Sequence, residues 1–335
     1  MLIGTKVYNL QGNQKDIFEK WRFLNFNSIF VSTSLYSNLE FRQLAKDNDI
    51  NVFVIFPIFY DPEALEMNPG LYSITNEGEK AIEEWVRFVC PTRKEYRAKK
   101  IEEISKIITE LNPDGLSLDF IRYFVYWEKI YPERTLDSIP NCCFCSYCLK
   151  KFQEDTEVIL PEGIMDTHIM AKFILKNYAT KWTKWKCDVV YSLIQEITEE
   201  VRKIKPKILI NVHVVPWRKD DFGGAIKKIA GQDLTEIAKI VDFISPMCYS
   251  HMLRRKPSWI HDVVKDMYEQ TKDKIVPSIQ VEKCYLKAEI SKKEFGLMIT
   301  EAIKTPSDGV IFWSWEKIQK NIEKKEQLKK SLVLS

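Results

Sequence analysis

The sequence predicts an α/β fold, a (β/α)8 (TIM) barrel, from three observations. Short apolar, β-branched or aromatic runs alternate with longer stretches whose apolar residues recur at three- and four-residue spacing. The chain has 335 residues, enough for one such barrel. No glycine-rich phosphate loop follows the first run, which disfavours a nucleotide-binding doubly wound sheet. We therefore expect residues 1–335 to form a single barrel domain.

Eight segments have the composition of buried strands. In chain order they are MLIGTKVYN (1–9), SIFVS (28–32), NVFVIFPIF (51–59), GLSLDFI (115–121), ILINVHVV (208–215), VDFISPMCY (241–249), KIVPSIQV (274–281) and GVIFWSW (309–315). The intervening stretches 96–111 and 187–204 have the periodicity of amphipathic helices. Helix-stop sequences such as NPDG (112–115) and TPSDG (305–309) directly precede strands, as the alternation requires.

The strands are unevenly spaced. Strand 3 is followed by about 55 residues and strand 4 by about 85, and a βα crossover needs far fewer. In a barrel, the loops that leave the carboxyl ends of the strands surround the active site. We therefore expect enlarged loops after strands 3 and 4 to form walls of a cleft, with a cysteine-rich insertion at about 124–165.

Charge and hydropathy exclude several partners. The chain has 50 Lys and Arg against 47 Asp and Glu, so the net charge of +3 provides no basic field for nucleic acid. No run approaches the roughly 18–20 apolar residues that span a bilayer, so no membrane partner is expected. The first residues lack a basic segment leading into an apolar one, which predicts a cytoplasmic protein unless a leader has been removed. The oligomeric state is left open.

Polar and aromatic residues cluster at the predicted strand ends. They are Tyr60 and Asp61 after strand 3, Asp119 and Arg122 at strand 4, His213 and Trp217 near strand 5, Tyr249 at strand 6, Gln280 and Glu282 at strand 7, and Trp313, Trp315 and Glu316 at strand 8. Sugars suit such a site, because their C–H faces stack on aromatic rings and their hydroxyls need carboxylate and amide partners. For His213 a place in the core is an equally open interpretation.

Two carboxylates are the predicted catalytic pair. Asp119 closes the strand GLSLD, and a buried carboxylate needs a partner, for which Arg122 is the candidate. We expect Asp119 to act as nucleophile or base, the alternative being a structural Asp–Arg bridge. Glu282, past strand 7, is the predicted general acid or else a solvated loop residue. Glu316 and Asp61 are the reserve carboxylates.

The segment NCCFCSYCLKKF (141–152) carries a CxxCxxC array formed by Cys142, Cys145 and Cys148. Three thiolates on so short a loop are suited to structural zinc, with a fourth ligand from Cys143 or elsewhere. Unliganded packing thiols and a redox role are the alternatives. No other metal or cofactor is expected.

Five segments together resemble a known group of proteins. They are VCPTRKEYR (89–97), DGLSLDFIRY (114–123), LKKF (149–152), SPMCY (245–249) and GVIFWSWE (309–316). In this order they resemble the poorly characterised glycoside-hydrolase-like TIM-barrel families, whose strand 4 reads roughly D-G-[IV]-x-[LF]-D-[YF]-[IV]-R-[YF]. The resemblance implies a carbohydrate substrate, with Asp119 as the catalytic or substrate-contacting carboxylate and Arg122 as its ordering partner.

A more distant similarity, carried by Tyr249 and Trp313, links the chain to family 18 chitinases. The chitinase DxxDxDxE signature is incomplete, because Ser117 replaces its second acid and Ile121 replaces its glutamate. The substrate-assisted chitinase mechanism is therefore not expected.

Three functional hypotheses follow. The first is a glycoside hydrolase acting on a polysaccharide or glycoconjugate through strand-end carboxylates. The second is a non-catalytic carbohydrate-binding TIM barrel, motivated by the missing chitinase glutamate. The third is a zinc-dependent hydrolase that uses the cysteine loop.

Overall fold

Eight parallel strands form the wall of a barrel in the computed structural model, which describes residues 1–333. They are β1 (Leu2–Val7), β2 (Ser28–Val31), β3 (Asn51–Pro57), β4 (Gly115–Asp119), β5 (Leu209–Val214), β6 (Phe243–Pro246), β7 (Ser278–Gln280) and β8 (Gly309–Trp313). Their order is β6-β5-β4-β3-β2-β1-β8-β7. Parallel bridges from Ile244 to Ile275 and from Met247 to Ser278 bring the β6 and β7 edges together. The predicted (β/α)8 barrel is confirmed.

Helices alternate with the strands along the chain. They are α1 (Gln14–Phe23), α2 (Thr33–Tyr36), α3 (Leu39–Asp47), α4 (Pro62–Met67), α5 (Lys94–Leu111), α6 (Ser146–Thr156), α7 (Thr167–Asn177), α8 (Ala179–Ile204), α9 (Ala225–Lys228), α10 (Leu234–Ile237), α11 (Ser258–Thr271), α12 (Lys292–Ile303), α13 (Trp315–Lys320) and α14 (Ile322–Val333). Neighbouring helices pack on one another, as α5 does on α8 and α11 on α12. Among the helices of residues 1–333, none combines the length and apolarity needed to cross a bilayer.

The lower part of the barrel interior is apolar. Phe30 of β2 stacks on Phe53 of β3 with ring centroids 4.7 Å apart, and Phe53 meets Phe243 of β6 edge-on at 5.5 Å. A Cβ on Gly115 of β4 would lie 2.1 Å from Cδ1 of Phe53, so only glycine leaves room for that ring. These side chains form a cluster separate from the larger one that packs the strands against the helices.

Above this cluster the interior becomes polar. Side chains alternate between the two faces of a strand, so Ser117 and Asp119 follow Gly115 into the interior while Leu116 and Leu118 face the helices. Ser117 Oγ donates to Asn211 Oδ1 of β5 at 2.8 Å, and Asn211 Nδ2 donates to Ser245 Oγ of β6 at the same distance. The next inward position on β4, at the carboxyl end of the barrel, is Asp119.

Two long segments cover that end. Residues 58–114 separate β3 from β4, and they include a two-stranded hairpin of Ile82–Glu83 and Val86–Arg87. Residues 120–208 separate β4 from β5 and contain the cysteine-rich segment together with α6, α7 and α8. The enlarged loops after strands 3 and 4 thus lie at the mouth of the barrel, where the spacing of the strands predicted them.

Candidate active site

Asp119 lies in the mouth of the barrel as an ionised carboxylate. Its side chain is 13% exposed, and its Oδ2 lies 3.9 Å from the Lys6 ammonium of β1. Its Oδ1 accepts a hydrogen bond from the backbone N–H of Phe120 at 2.8 Å. Burial acts to raise the pKa of Asp119, but Lys6, His213, the N–H of Phe120 and Arg122 together outweigh it, Lys6 most of all, and leave the pKa below the ordinary value.

The counter-ion of Asp119 is therefore Lys6 rather than the expected Arg122. Within residues 1–333, Arg122 makes no ion pair with Asp119; its Nη1 donates to the carbonyl oxygens of Tyr123 and Val125 at 3.2 and 2.9 Å. Its guanidinium also lies over the Phe88 ring, 4.7 Å from the centroid. Arg122 thus holds the first turn of the loop after β4 and reaches Asp119 only as a more distant positive charge.

A second carboxyl group, Glu128, is buried in the loop after β4, within the short 3-10 turn Trp127–Lys129. The residue is 9% exposed, and its Oε2 has no hydrogen-bond partner among residues 1–333. Burial raises the pKa of Glu128 to about 7; Arg122 opposes the rise, while Asp119 adds to it. Glu128 therefore carries a proton under mildly acidic conditions, at which Asp119 is charged.

Sequence reasoning missed both Lys6 and Glu128. Lys6 could have been found, because it shares the inward face of β1 with Leu2 and Gly4. Glu128 lies in irregular chain, where no periodicity predicts the direction of a side chain. The only signal was its position as a lone acid directly after the apolar and aromatic run YFVYW (123–127).

The predicted acid Glu282 lies at the rim of the barrel. Its carboxylate is 41% exposed and pairs with the Lys317 ammonium at 2.8 Å. Its neighbour Gln280 is fully buried; Oε1 accepts from the N–H of Met252 at 2.8 Å, and Nε2 donates to the carbonyl of Glu282 at 3.0 Å. Gln280 thus joins the loops after β6 and β7, and its polar groups are occupied by the protein.

The reserve carboxylates hold backbone in place. Glu316 accepts from the N–H groups of Tyr8 and Asn9 at 2.6 and 2.8 Å, which joins the loop after β1 to the start of α13. Asp61 caps the N-terminus of α4 and pairs with the Lys100 ammonium at 2.8 Å. Both groups have partners within the protein, so neither is the free second carboxyl at the mouth.

Only part of the expected aromatic surface is accessible. Trp313 is partly exposed and stacks on Tyr249, with centroids 4.6 Å apart and ring planes 18° apart. Trp217 and Trp315 are buried, Trp217 against Phe222 and Trp315 against the core residue Trp21. The expectation that Trp217 and Trp315 offer stacking faces to a sugar is therefore wrong.

Two further aromatic side chains at the mouth, Tyr60 and Tyr8, are partly accessible. Tyr60 is partly buried and stacks on Phe120 at 4.9 Å. Tyr8 is 50% exposed, yet burial of its hydroxyl, with the nearby charge of Asp119, raises its pKa. Phe120 follows Asp119 in the chain, and Tyr8 is near enough for the charge of Asp119 to raise its pKa. Together with Tyr60 and Trp313, these residues form an aromatic rim at the same end of the barrel.

His213 lies on β5 inside the barrel. It is buried, with its ring centroid 6.4 Å from that of Phe30. Burial, assisted by the positive charge of Lys6 and opposed by Asp119, lowers its pKa to about 3. The imidazole is therefore neutral near pH 7 and forms part of the floor beneath the mouth.

The cysteines assemble into a cluster that differs from the predicted one. The Sγ atoms of Cys90, Cys143, Cys145 and Cys148 all lie within 4.8 Å of one another, and all four residues are buried. Cys142 lies outside this set, so its predicted ligand role is wrong. Cys90 was missed because it precedes the array by more than fifty residues and meets it only through the fold.

Comparisons with known proteins agree with the barrel. No family model and no curated protein matches the sequence. The glycoside hydrolase domain of PgaB (BpsB) from Bordetella bronchiseptica matches with a TM-score of 0.73 at 13% identity, over 99% of this chain and 98% of that one. A β-galactosidase from the psychrophilic Marinomonas ef1 matches with a TM-score of 0.68 at 10% identity, over 99% of this chain and 59% of that one. The α-L-fucosidase isoenzyme 2 from Paenibacillus thiaminolyticus matches with a TM-score of 0.60 at 12% identity, over 99% of this chain and 49% of that one.

At these identities the similarity establishes the fold. This chain has the (β/α)8 barrel found in glycoside hydrolases, and the predicted resemblance is confirmed at that level.

Proposed function

We propose that this chain is a glycoside hydrolase acting on a polysaccharide or glycoconjugate, with Asp119 and Glu128 as its catalytic carboxyl groups. The observation that carries the proposal is the place of these groups: Asp119 ends β4 at the mouth of the barrel with Lys6 3.9 Å away, and Glu128 is buried in the loop that follows. Lys6 holds the pKa of Asp119 below its ordinary value, whereas burial raises the pKa of Glu128 to about 7. When the surroundings of two carboxyl groups separate their pKa values, one can act as the acid and the other as the base or nucleophile at the same pH.

Each group then has a defined role. Glu128 is the proton donor to the leaving glycosidic oxygen, because its carboxyl is protonated; its Oε2 is buried without a protein partner, so this contact requires the loop after β4 to open around it. Asp119, charged and partly exposed, stabilises the positive charge that develops on the sugar ring and acts as nucleophile or base. Lys6 favours the ionised form of Asp119, and Asp119 in turn opposes the fall that burial causes in the pKa of Lys6.

The aromatic rim supports a carbohydrate substrate. Trp313, Tyr8 and Tyr60 present partly exposed rings around Asp119, and the C–H faces of a sugar pack on such rings. Further support comes from the solved structures with the same fold, which include a β-galactosidase and an α-L-fucosidase.

The experiment is a hydrolysis screen with the full chain on 4-nitrophenyl glycosides and linear polysaccharides. Wild-type protein is expected to hydrolyse at least one of them, and Asp119→Asn to reduce that rate on the order of 10⁴-fold. Glu200→Gln, which alters an exposed acid paired with Lys203 on α8, is the control and should retain full activity. Binding of a glycan without cleavage would instead support the carbohydrate-binding barrel. Equal rates in wild type and Asp119→Asn would refute the catalytic assignment.

We further propose that Cys90, Cys143, Cys145 and Cys148 hold a structural zinc ion. Four thiolates 2.3 Å from a tetrahedral zinc lie about 3.8 Å apart. Cys90 Sγ is 3.6 Å from Cys145 Sγ and 3.3 Å from Cys148 Sγ, and the N–H of Ile74 donates to Cys143 Sγ at 3.3 Å. Four thiolates leave no position for a catalytic water, so this set is suited to joining the two loops rather than to zinc-dependent hydrolysis.

Metal analysis of the full chain tests this second proposal. We expect one zinc per wild-type chain and its loss in Cys90→Ser, with a lower melting temperature. Cys142→Ser, which changes a buried cysteine outside the cluster, should retain the metal. Absence of stoichiometric zinc from wild-type protein, or equal loss in both variants, would contradict the assignment.

A further inference from the structure

A contact between two loops crosses the mouth of the barrel. The hairpin in the loop after β3 has Glu84 and Trp85 at its turn, and Trp85 Nε1 donates to the hydroxyl of Tyr285 at 2.9 Å. Tyr285 belongs to the loop after β7. Because β3 and β7 are four strands apart around an eight-stranded barrel, their loops leave opposite sides of the mouth. The hairpin therefore extends across the opening.

The loop after β4 supports this crossing. Tyr126 lies against both rings, with its centroid 5.9 Å from Trp85 and 6.0 Å from Tyr285. The hydroxyl of Tyr126 donates to the Glu84 carboxylate at 3.0 Å, and the Lys129 ammonium pairs with the same carboxylate. We call Trp85, Tyr126 and Tyr285 the crossing bridge. Three separate loops fix it in place.

The two halves of the mouth on either side of the bridge differ in burial. The half formed by the loops after β4, β5 and β6 is filled by side chains that are no more than 4% exposed: Tyr123, Phe124, Val125, Trp127, Trp217, Tyr249, Met252 and Leu253. The half formed by the ends of β8, β1 and β3 contains the 50% exposed Tyr8 and the partly exposed Trp313 and Tyr60. Apart from the bridge itself, the exposed rings of the mouth therefore lie in one half.

From this asymmetry we infer that the site is a blind pocket that takes one end of a glycan chain, so that the enzyme removes terminal rather than internal sugars. This inference rests on the proposed function. A chain that continued past Asp119 in both directions would have to pass through the packed half of the mouth or beneath the crossing bridge. A terminal sugar needs only the open half, from which the remaining chain leaves past Tyr8.

The bridge is the element that a substitution can remove. Trp85→Ala deletes the ring that spans the mouth, and Tyr285→Phe removes only the hydroxyl that accepts its hydrogen bond. Ile82→Ala is a matched control, because Ile82 is an exposed apolar residue of the same hairpin that contributes no ring to the bridge. Circular dichroism of each variant checks that the barrel is retained.

The test follows the products of hexasaccharides that are labelled with 2-aminobenzamide at the reducing end, one for each glycan that the hydrolysis screen identifies. Wild-type protein and Ile82→Ala are expected to form terminal products in about ten-fold excess over internal products at early times. We expect that excess to fall to about two-fold or less in Trp85→Ala and by a smaller factor in Tyr285→Phe.

Internal cleavage by wild-type protein, or an unchanged product ratio in Trp85→Ala, would overturn the blind pocket and leave the proposed function intact. If no glycan in the screen is hydrolysed, the proposed function fails and this inference fails with it.

Discussion

Asp119 and Glu128 are carboxyl groups of the same mouth in contrasting surroundings. Asp119 ends a barrel strand, keeps one edge exposed and has the Lys6 ammonium 3.9 Å away. Glu128 lies in a loop, is almost fully buried and has one oxygen without a protein partner. A nearby cation lowers the pKa of the first, and burial raises the pKa of the second. The contrast teaches that local packing, more than residue type, determines which carboxyl group can serve as the acid.

After Asp119→Asn, the largest expected effect comes from removing the acid. Glu128→Gln keeps the shape of the protonated side chain and removes its proton, so hydrolysis should fall on the order of 10²- to 10⁴-fold. Kinetic measurements on the substrate from the screen test this. Loss of activity in Glu282→Gln combined with full activity in Glu128→Gln would return the acid role to Glu282.

Glu128→Gln should lower activity but raise the free energy of unfolding above that of wild-type protein. Because the pKa of folded Glu128 is raised from 4.5 to about 7, its contribution to stability is full below pH 4.5 and is lost as the pH rises through 7. Glutamine stays neutral at every pH, so the variant does not lose this stability, which amounts to about 3 kcal/mol in the free energy of unfolding at full burial. Urea unfolding at about pH 5 and about pH 8 should show a small gain at the lower pH and most of it at the higher pH. A loss of stability at both would indicate that Glu128 serves mainly as a partner for Arg122.

A smaller effect is expected from the cation beside Asp119. In Lys6→Met the largest charge that opposes the effect of burial on Asp119 is removed, so the pKa of Asp119 should rise. The activity below this pKa is then lost, and the acid side of the kcat/KM profile should move to higher pH by the same amount. Lys15→Met, which changes an exposed lysine of α1, should leave the profile unchanged. An unmoved acid limb in Lys6→Met would show that Lys6 does not set the charge of Asp119.

Much of the barrel could be predicted from the sequence because strand and helix periods are local properties. The inward direction of Asp119 follows from the alternation of GLSLD once β4 is assigned. For Trp315, the alternation of a strand predicts the wrong side-chain direction. It is two residues beyond Trp313, so a continued strand would place both on one face, but β8 ends at Trp313 and α13 begins at Trp315. The change of period directs Trp315 into the core against Trp21.

The remaining features depend on contacts between distant segments. Cys90 meets Cys145 and Cys148 only because the loop after β3 lies against the insertion after β4. The Trp85–Tyr285 hydrogen bond joins residues 200 positions apart. The pKa of Glu128 depends on how completely the aromatic loop encloses it. None of these has a period or a spacing that a single sequence could reveal.

The opposite protonation of Asp119 and Glu128 is tested most directly by a ¹³C NMR titration of the side-chain carboxyl groups in the full chain, with Asp119→Asn and Glu128→Gln used to assign the two resonances. We expect Glu128 to titrate near pH 7 and Asp119 below its ordinary value of 3.8. If Glu128 titrated near pH 4.5, or Asp119 above 3.8, the assignment of Glu128 as the acid and Asp119 as the nucleophile or base would be contradicted.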